Sequence, residues 1–278
     1  MSDREPLRVR DTTFDWGART YLMAIVNVTP DSFSGDGIED AQLAIASAIG
    51  QWERGADILD IGGESTRPGH TLLDVEEELA RVVPVIRGVR SALPSAPISI
   101  DTYKPAVAKA ACAAGADIIN CVWGAPDDML AVAVECATPF VAMHNQHGTH
   151  YDGNVMDDVV AALRDAAQRA RSCGVPMIVD PGIGFGKTAD QNIAVLAELR
   201  RLTQLGFPTL LGTSRKSTLG KLTGREPAER AFGTAATTAL AIAAGIDIVR
   251  VHDVAETRDV IAVSDAIERG WRPATWTA

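Results

Sequence analysis

The chain has 278 residues, 46% of them hydrophobic, enough to bury a large core in one big α/β domain or two ordinary ones. Its formal net charge of −10 comes without any block of Lys or Arg, which argues against a nucleic-acid or membrane-surface protein and leaves any anionic ligand to local positive groups. Cys112, Cys121, Cys136 and Cys173 form no C-x-x-C pair, and neither a signal-like N-terminal segment nor a membrane-length apolar run occurs, so a cytoplasmic protein with reduced thiols is expected.

The first twenty residues, with PLRVRDTTFDWGART, carry a hairpin pattern ahead of the first long apolar run. Apolar, β-rich runs then recur at 22–28, 57–61, 97–101, 117–120, 139–144, 176–180, 208–213 and 247–252, which makes eight strands. Helical patterns lie between them, for instance at 74–93, 155–173 and 228–245. An internal repeat marks three helix-to-strand joints: RGADILD at 54–60, AGADIIN at 114–120 and AGIDIVR at 244–250. In each, the Gly ends the helix in a left-handed cap, the Asp sits in a short turn and the β-branched run enters a buried strand. The repeats are 60 and then 130 residues apart, matching two and four βα units of roughly 30 residues. Continuous apolar strands, each followed by a helix, indicate a parallel sheet with a covered outer face. Eight units imply an α/β fold of the (β/α)8 TIM-barrel type, a single domain over residues 1–278, with the short N-terminal hairpin closing the barrel bottom.

Chemistry in such a barrel sits where the strands end. In chain order those ends carry Asn27, Asp60, Asp101, Asn120, Met143 with His144, Asp180, the stretch TSRK at 213–216, and Arg250 with His252. An Asp or Asn there could be a helix cap, but eight polar strand ends together call for a ligand, because buried carboxylates need partners. Asp101 and Asp180 offer acceptors and Asn120 a donor and an acceptor, which suits a flat heterocycle with an amino group, ring nitrogens and a carbonyl. Lys216 can cap that carbonyl, and the Arg250 guanidinium can stack on the ring. Loops 29–37 and 63–70 read as lids. Asn27, Thr66, Arg67, Arg250 and His252 supply enough donors and positive charge for a diphosphate with Mg2+ bridging its oxygens.

The stretch VDPGIGFGKT at 179–188 ends like a P-loop but fails the pattern, because Pro181 stands where the first Gly must be and has no amide hydrogen. It reads instead as the loop after the sixth strand, with glycines for close backbone approach, Phe185 as an apolar wall and Lys187 at a helix start. His70, His147 and His150 read as solvated loop residues.

With these motifs in place, the chain resembles the bacterial dihydropteroate synthase family along nearly its whole length: NVTPDSFSGDG, DIGGESTRPG, SIDTYKP, DPGIGFGKT, GTSRKS and VRVHDV stand in that family's order. The resemblance implies condensation of 6-hydroxymethyl-7,8-dihydropterin diphosphate with 4-aminobenzoate. It also implies Mg2+, a homodimer and a target for sulfonamides. It places Asp101, Asn120, Asp180 and Lys216 on the pterin, Arg250 stacked over it and Met143 in its pocket. Asn27, Thr66, Arg67 and His252 would hold diphosphate and Mg2+, with Asn27 as the metal ligand, and Phe33, Pro68, Phe185 and Ser214 would form the aminobenzoate site. Asp101, Asp180, Lys216, Arg250 and Arg67 would carry catalysis. One departure stands out: Cys121 occupies the position after Asn120 where the family has Asp. Adjacent strand residues face opposite ways, so Cys121 is expected to point away from the pterin. The nearest enzyme alternative is another pterin-binding barrel, a methyltetrahydrofolate:corrinoid methyltransferase, against which STRPG and TSRKS favour the synthase. From a different class, the alternative is a catalytically silent pterin-binding paralogue, which should have lost lid or anion residues that this chain keeps.

Overall fold

A computed structural model describes residues 4–28, 37–64 and 72–277. Strands β1 (Leu7–Val9) and β2 (Thr12–Phe14) pair antiparallel, with Leu7 opposite Phe14. The barrel strands follow as β3 (Tyr21–Asn27), β4 (Ile58–Gly62), β5 (Ile98–Asp101), β6 (Ile118–Cys121), β7 (Phe140–Met143), β8 (Met177–Asp180), β9 (Leu210–Leu211) and β10 (Ile248–Val251). All are parallel in the order β8-β7-β6-β5-β4-β3-β10-β9, and the bridge Val179↔Thr209 joins the two ends, so the sheet closes. The helices are α1 (Gly37–Glu53), α2 (Val75–Ala92), α3 (Pro105–Ala114), α4 (Asp127–Cys136), α5 (Val155–Ser172), α6 (Ala189–Ala197), α7 (Leu199–Thr203), α8 (Ser217–Thr223), α9 (Ala231–Ala244) and α10 (Val254–Glu268).

The expected strands appear in place, with one marked difference. The run at 208–213 yields only two strand residues, because Pro208 has no N–H to donate and the backbone leaves the ladder at Gly212.

Strand periodicity divides the side chains into two apolar layers. Outward residues such as Leu22, Ile61, Ile100, Ile119, Cys121 and Phe140 pack against the helices. Inward residues Met23, Ile58, Ile118, Val141, Ile178, Leu210 and Ile248 form the floor of the barrel. Val9, Phe14 and Trp16 of the hairpin region plug that floor from below, with the Phe14 ring 4.8 Å from Tyr21 edge-to-face. Full burial of each such large side chain contributes about 1.5–3 kcal/mol.

The repeated joints fix the plug electrostatically. Gly55, Gly115 and Gly245 all take positive φ, at 98°, 118° and 94°. The Asp two residues after each Gly accepts a backbone N–H from the neighbouring strand: Asp57 from Leu22 at 2.8 Å, Asp117 from Ile98 at 3.0 Å and Asp247 from Thr209 at 2.9 Å. Each also pairs with an arginine of the N-terminal segment: Arg19 with Asp57 and Arg10 with Asp117, both at 2.6 Å, and Arg4 with Asp247 at 2.5 Å. One sequence repeat thus sets both strand register and hairpin position.

Candidate active site

The same two-residue step that makes the floor apolar makes the mouth polar. Moving up one inward position, Ile58 gives way to Asp60, Ile118 to Asn120, Val141 to Met143, Ile178 to Asp180 and Ile248 to Arg250, while Ser99 is followed by Asp101. Asp101 and Asn120 stand directly opposite each other on β5 and β6, and Met143 opposite Asp180 on β7 and β8. Asp101, Asn120, Met143, Asp180, Phe185, Lys216 and Arg250 line one pocket, together with Val122, Ile183 and Gly212. Seven of the sequence-derived candidates therefore meet at one place.

Arg250 is held by two carboxylates at the pocket. Its Nε donates to Asp60 Oδ2 at 2.5 Å and a terminal nitrogen donates to Asp101 Oδ2 at 2.6 Å. Burial alone would lower the guanidinium's pKa, but the two carboxylates outweigh it and raise it, so it stays charged. Asp101 is pushed up to about 7, chiefly by burial against the opposing pull of Arg250, with the charges of Asp60 and Glu78 adding to the rise and Lys216 opposing it. Asp180 is pushed up to about 6 by burial, while the Gly182 N–H, Lys216, Arg250 and Lys187 hold it down. Its Oδ1 accepts that N–H at 2.7 Å, which fixes how the carboxylate faces the pocket.

The glycine-rich loop after β8 inverts the P-loop arrangement: carbonyls converge on a cation where amides would converge on a phosphate. Lys187, just before the Thr188 cap of α6, turns inward with Nζ donating to Gly182 O at 3.0 Å and Phe185 O at 3.1 Å. The third partner is His144 Nδ1 at 3.0 Å, which as acceptor leaves the ring proton on Nε2. Burial first, and the Lys187 charge second, hold His144 down at about 4, so the ring is neutral. Gly182 has φ +70°, and a Cβ there would lie 1.9 Å from His144 O, so only glycine fits this crossing. Phe185 is presented at the pocket wall, its ring centroid 4.0 Å from Lys216 Nζ. Arg215, next to Lys216, holds φ +58° while pairing with Asp253.

Beside the pocket, Ser214 Oγ lies 3.0 Å from His252 Nδ1 and accepts the His252 backbone N–H at 3.2 Å. Asn27 is half-buried at the end of β3. Phe33, Thr66, Arg67 and Pro68 lie outside the described residues, as do most of the two loops read as lids. His70 lies there too, whereas His147 and His150 are exposed as expected. Cys121 is fully buried in the outer layer and faces away from Asn120. Sequence reasoning placed Asp60 at a strand end but left it out of the site. Its signal was an acidic residue in step with Ile58 on an otherwise apolar strand.

Among the described residues no group of three His, Cys, Asp or Glu side chains could cage a metal ion. An oxygen-loving divalent ion that keeps most of its waters and binds largely through substrate phosphates needs no such cage, and the Asn27 amide oxygen is a donor of the right kind.

Residues 23–252 match the model of a family described as pterin binding enzyme. A dihydropteroate synthase of Clostridium beijerinckii is 43% identical over 270 residues, covering 95% of this chain and 100% of its own. Among solved structures, a dihydropteroate synthase from Clostridium difficile, crystallised in the presence of pteroic acid, superposes with a TM-score of 0.89 at 49% identity, covering 92% of this chain and 99% of its own. The Xanthomonas albilineans enzyme with 4-aminobenzoic acid gives 0.86 at 44% identity, covering 92% and 94%.

Proposed function

The chain belongs to the pterin-binding enzyme family and has the activity of a dihydropteroate synthase, a transferase of folate biosynthesis, and from that premise we propose how its barrel mouth conducts the reaction. The reaction joins 6-hydroxymethyl-7,8-dihydropterin diphosphate to 4-aminobenzoate, giving 7,8-dihydropteroate and diphosphate. One observation carries the residue assignment: Asp101, Asn120, Asp180, Lys216 and Arg250 reach a single pocket from five different strand ends.

In this reading Asp180 and Asp101 accept from the ring N–H and amino groups, Asn120 supplies a donor and an acceptor, Lys216 donates to the ring carbonyl, and Arg250 lies against the ring face with Met143 beneath. The C–O bond to diphosphate breaks with its electron pair leaving on the diphosphate. Positive charge then spreads from the exocyclic carbon into the dihydropterin, where the carboxylates offset it. The aryl amine's lone pair forms the new C–N bond and the nitrogen releases its proton. Preorganised charge supplies most of the stabilisation, because the groups are buried and already aimed. Phe33, Pro68, Phe185 and Ser214 hold the aminobenzoate, a site that sulfonamides would share, and Thr66, Arg67, Asn27 and His252 hold the departing diphosphate. Asn27, with the diphosphate, would hold Mg2+, which when bound would supply positive charge to offset that of the leaving group.

A homodimer fits the surface: on α9 and α10 the large apolar side chains Phe232, Leu240, Val263 and Ile267 are exposed, Phe232 at 91%. No helix of the described residues is long and apolar enough to cross a membrane, in keeping with a cytoplasmic enzyme. The residue assignment is tested by calorimetry with a dihydropterin on folded Asn120→Ala. Loss of most of the affinity is expected, and unchanged affinity would remove Asn120 from the pterin site.

A further inference from the structure

Asp60 lies behind the pocket wall rather than in it. It is fully buried on β4, one inward step below Gly62, and opposite Ser99 of β5 and Ile25 of β3. One oxygen, Oδ2, accepts from both Arg250 Nε at 2.5 Å and Asn120 Nδ2 at 3.1 Å. A single carboxylate thus orients two groups of the pterin pocket reached by strands β10 and β6. The other oxygen, Oδ1, is enclosed with no hydrogen-bond partner among the described residues, and Asp101 Oδ1 is in the same condition. Two carboxylates share one guanidinium, so the cluster keeps one net negative charge when both are ionised.

That imbalance is costly in an enclosed site unless something positive uses it. Building on the function proposed above, we infer that Asp60 is a positioning residue for the reaction: it fixes Arg250 and Asn120, and its charge offsets the guanidinium so that Asp101 faces the dihydropterin cation with its negative charge intact. Without Asp60, Asp101 and Arg250 would neutralise each other and the cluster would have no preference for a cation. A purely structural Asp60 would support all pterins alike.

The test compares two ligands on wild type and Asp60→Asn at pH 7.5, above the Asp101 midpoint of about 7. 6-Hydroxymethylpterin is neutral, whereas 6-aminomethylpterin as its ammonium form carries a positive charge beside the reacting carbon. The variant should lose at least about tenfold in affinity for the ammonium ligand and less than about threefold for the neutral one, as expected for removing one charge in a poorly screened site. Its kcat should fall with the ammonium affinity while KM for the diphosphate substrate changes less. The acid limb of kcat against pH should also move down, since Asp60 is one of the charges raising Asp101; Glu78 raises it too, while Arg250 and Lys216 lower it. Equal losses for both ligands, or no loss for either, would overturn the inference. If Asp60→Asn does not fold, Asp101→Asn gives the cluster the same charge and must lose the same ammonium-over-neutral preference, and retention of that preference would overturn it equally. A wild type that binds neither pterin would instead refute the pterin-site reading on which this rests.

Discussion

Replacing Asp180 by Asn separates pterin recognition from fold stability, because the two should move in opposite directions. Asp180 is 5% exposed and its Oδ1 accepts the Gly182 N–H at 2.7 Å. An Asn oxygen can keep that bond, but its NH2 then points a donor at the N–H edge of the ring. The lost charge-assisted hydrogen bond is worth about 1.5–3 kcal/mol, which is roughly a tenfold to 150-fold rise in Kd. Stability goes the other way. Burial raises the Asp180 pKa from 3.8 to about 6, so its contribution to stability is complete below about pH 4 and is lost as the pH rises through about 6. The lost contribution is of order 3 kcal/mol at pH 8, and Asn, which does not titrate, avoids it. Asp101 adds a second limb through about 7 that persists in the variant. Calorimetry with a dihydropterin and thermal melts from pH 4 to 8 measure both effects. The expected result is weaker pterin binding by a variant at least as stable as wild type at pH 8. Unchanged affinity in a folded variant would refute the assignment of Asp180 to the ring.

Cys121→Asp puts a carboxylate into the apolar layer between barrel and helices, and should lower stability by about 1–3 kcal/mol while leaving the turnover of the folded fraction nearly unchanged, read by denaturant melts and initial rates. Gly182→Ala forces a side chain into the His144 carbonyl at positive φ and should cost at least about 2 kcal/mol, visible as a Tm fall of several degrees together with weaker pterin binding. Lys187→Met leaves the Gly182 and Phe185 carbonyls without their donor, and an expected loss of about 1–3 kcal/mol in urea melts should be accompanied by weaker ligand binding through the displaced loop.

What the sequence made legible is what strand period and helix-end chemistry determine. The barrel followed from eight apolar runs and a repeated Gly-x-Asp joint. The convergence followed because Asn120, Met143, Asp180 and Arg250 each lie two residues beyond a floor position, while Asp101 lies two beyond Ser99, which pairs with the floor residue Ile118. The outward face of Cys121 came from the same rule. What stayed hidden depends on partners far along the chain. Asp60 looked like a possible helix cap because nothing local announces Arg250, 190 residues away. Lys187 looked like an ordinary helix-start lysine because its partners are carbonyls of its own loop and His144, 43 residues back. The joint aspartates were visible as turn residues, but their pairing with Arg4, Arg10 and Arg19 needed the hairpin in place beneath the barrel.

The most direct test of the whole account is product analysis with the purified chain, 6-hydroxymethyl-7,8-dihydropterin diphosphate, 4-aminobenzoate and Mg2+. Diphosphate and 7,8-dihydropteroate should form in equal amounts, and neither should form at a comparable rate when either organic substrate is left out. A chain that binds the dihydropterin yet forms no dihydropteroate with both substrates present would contradict the account.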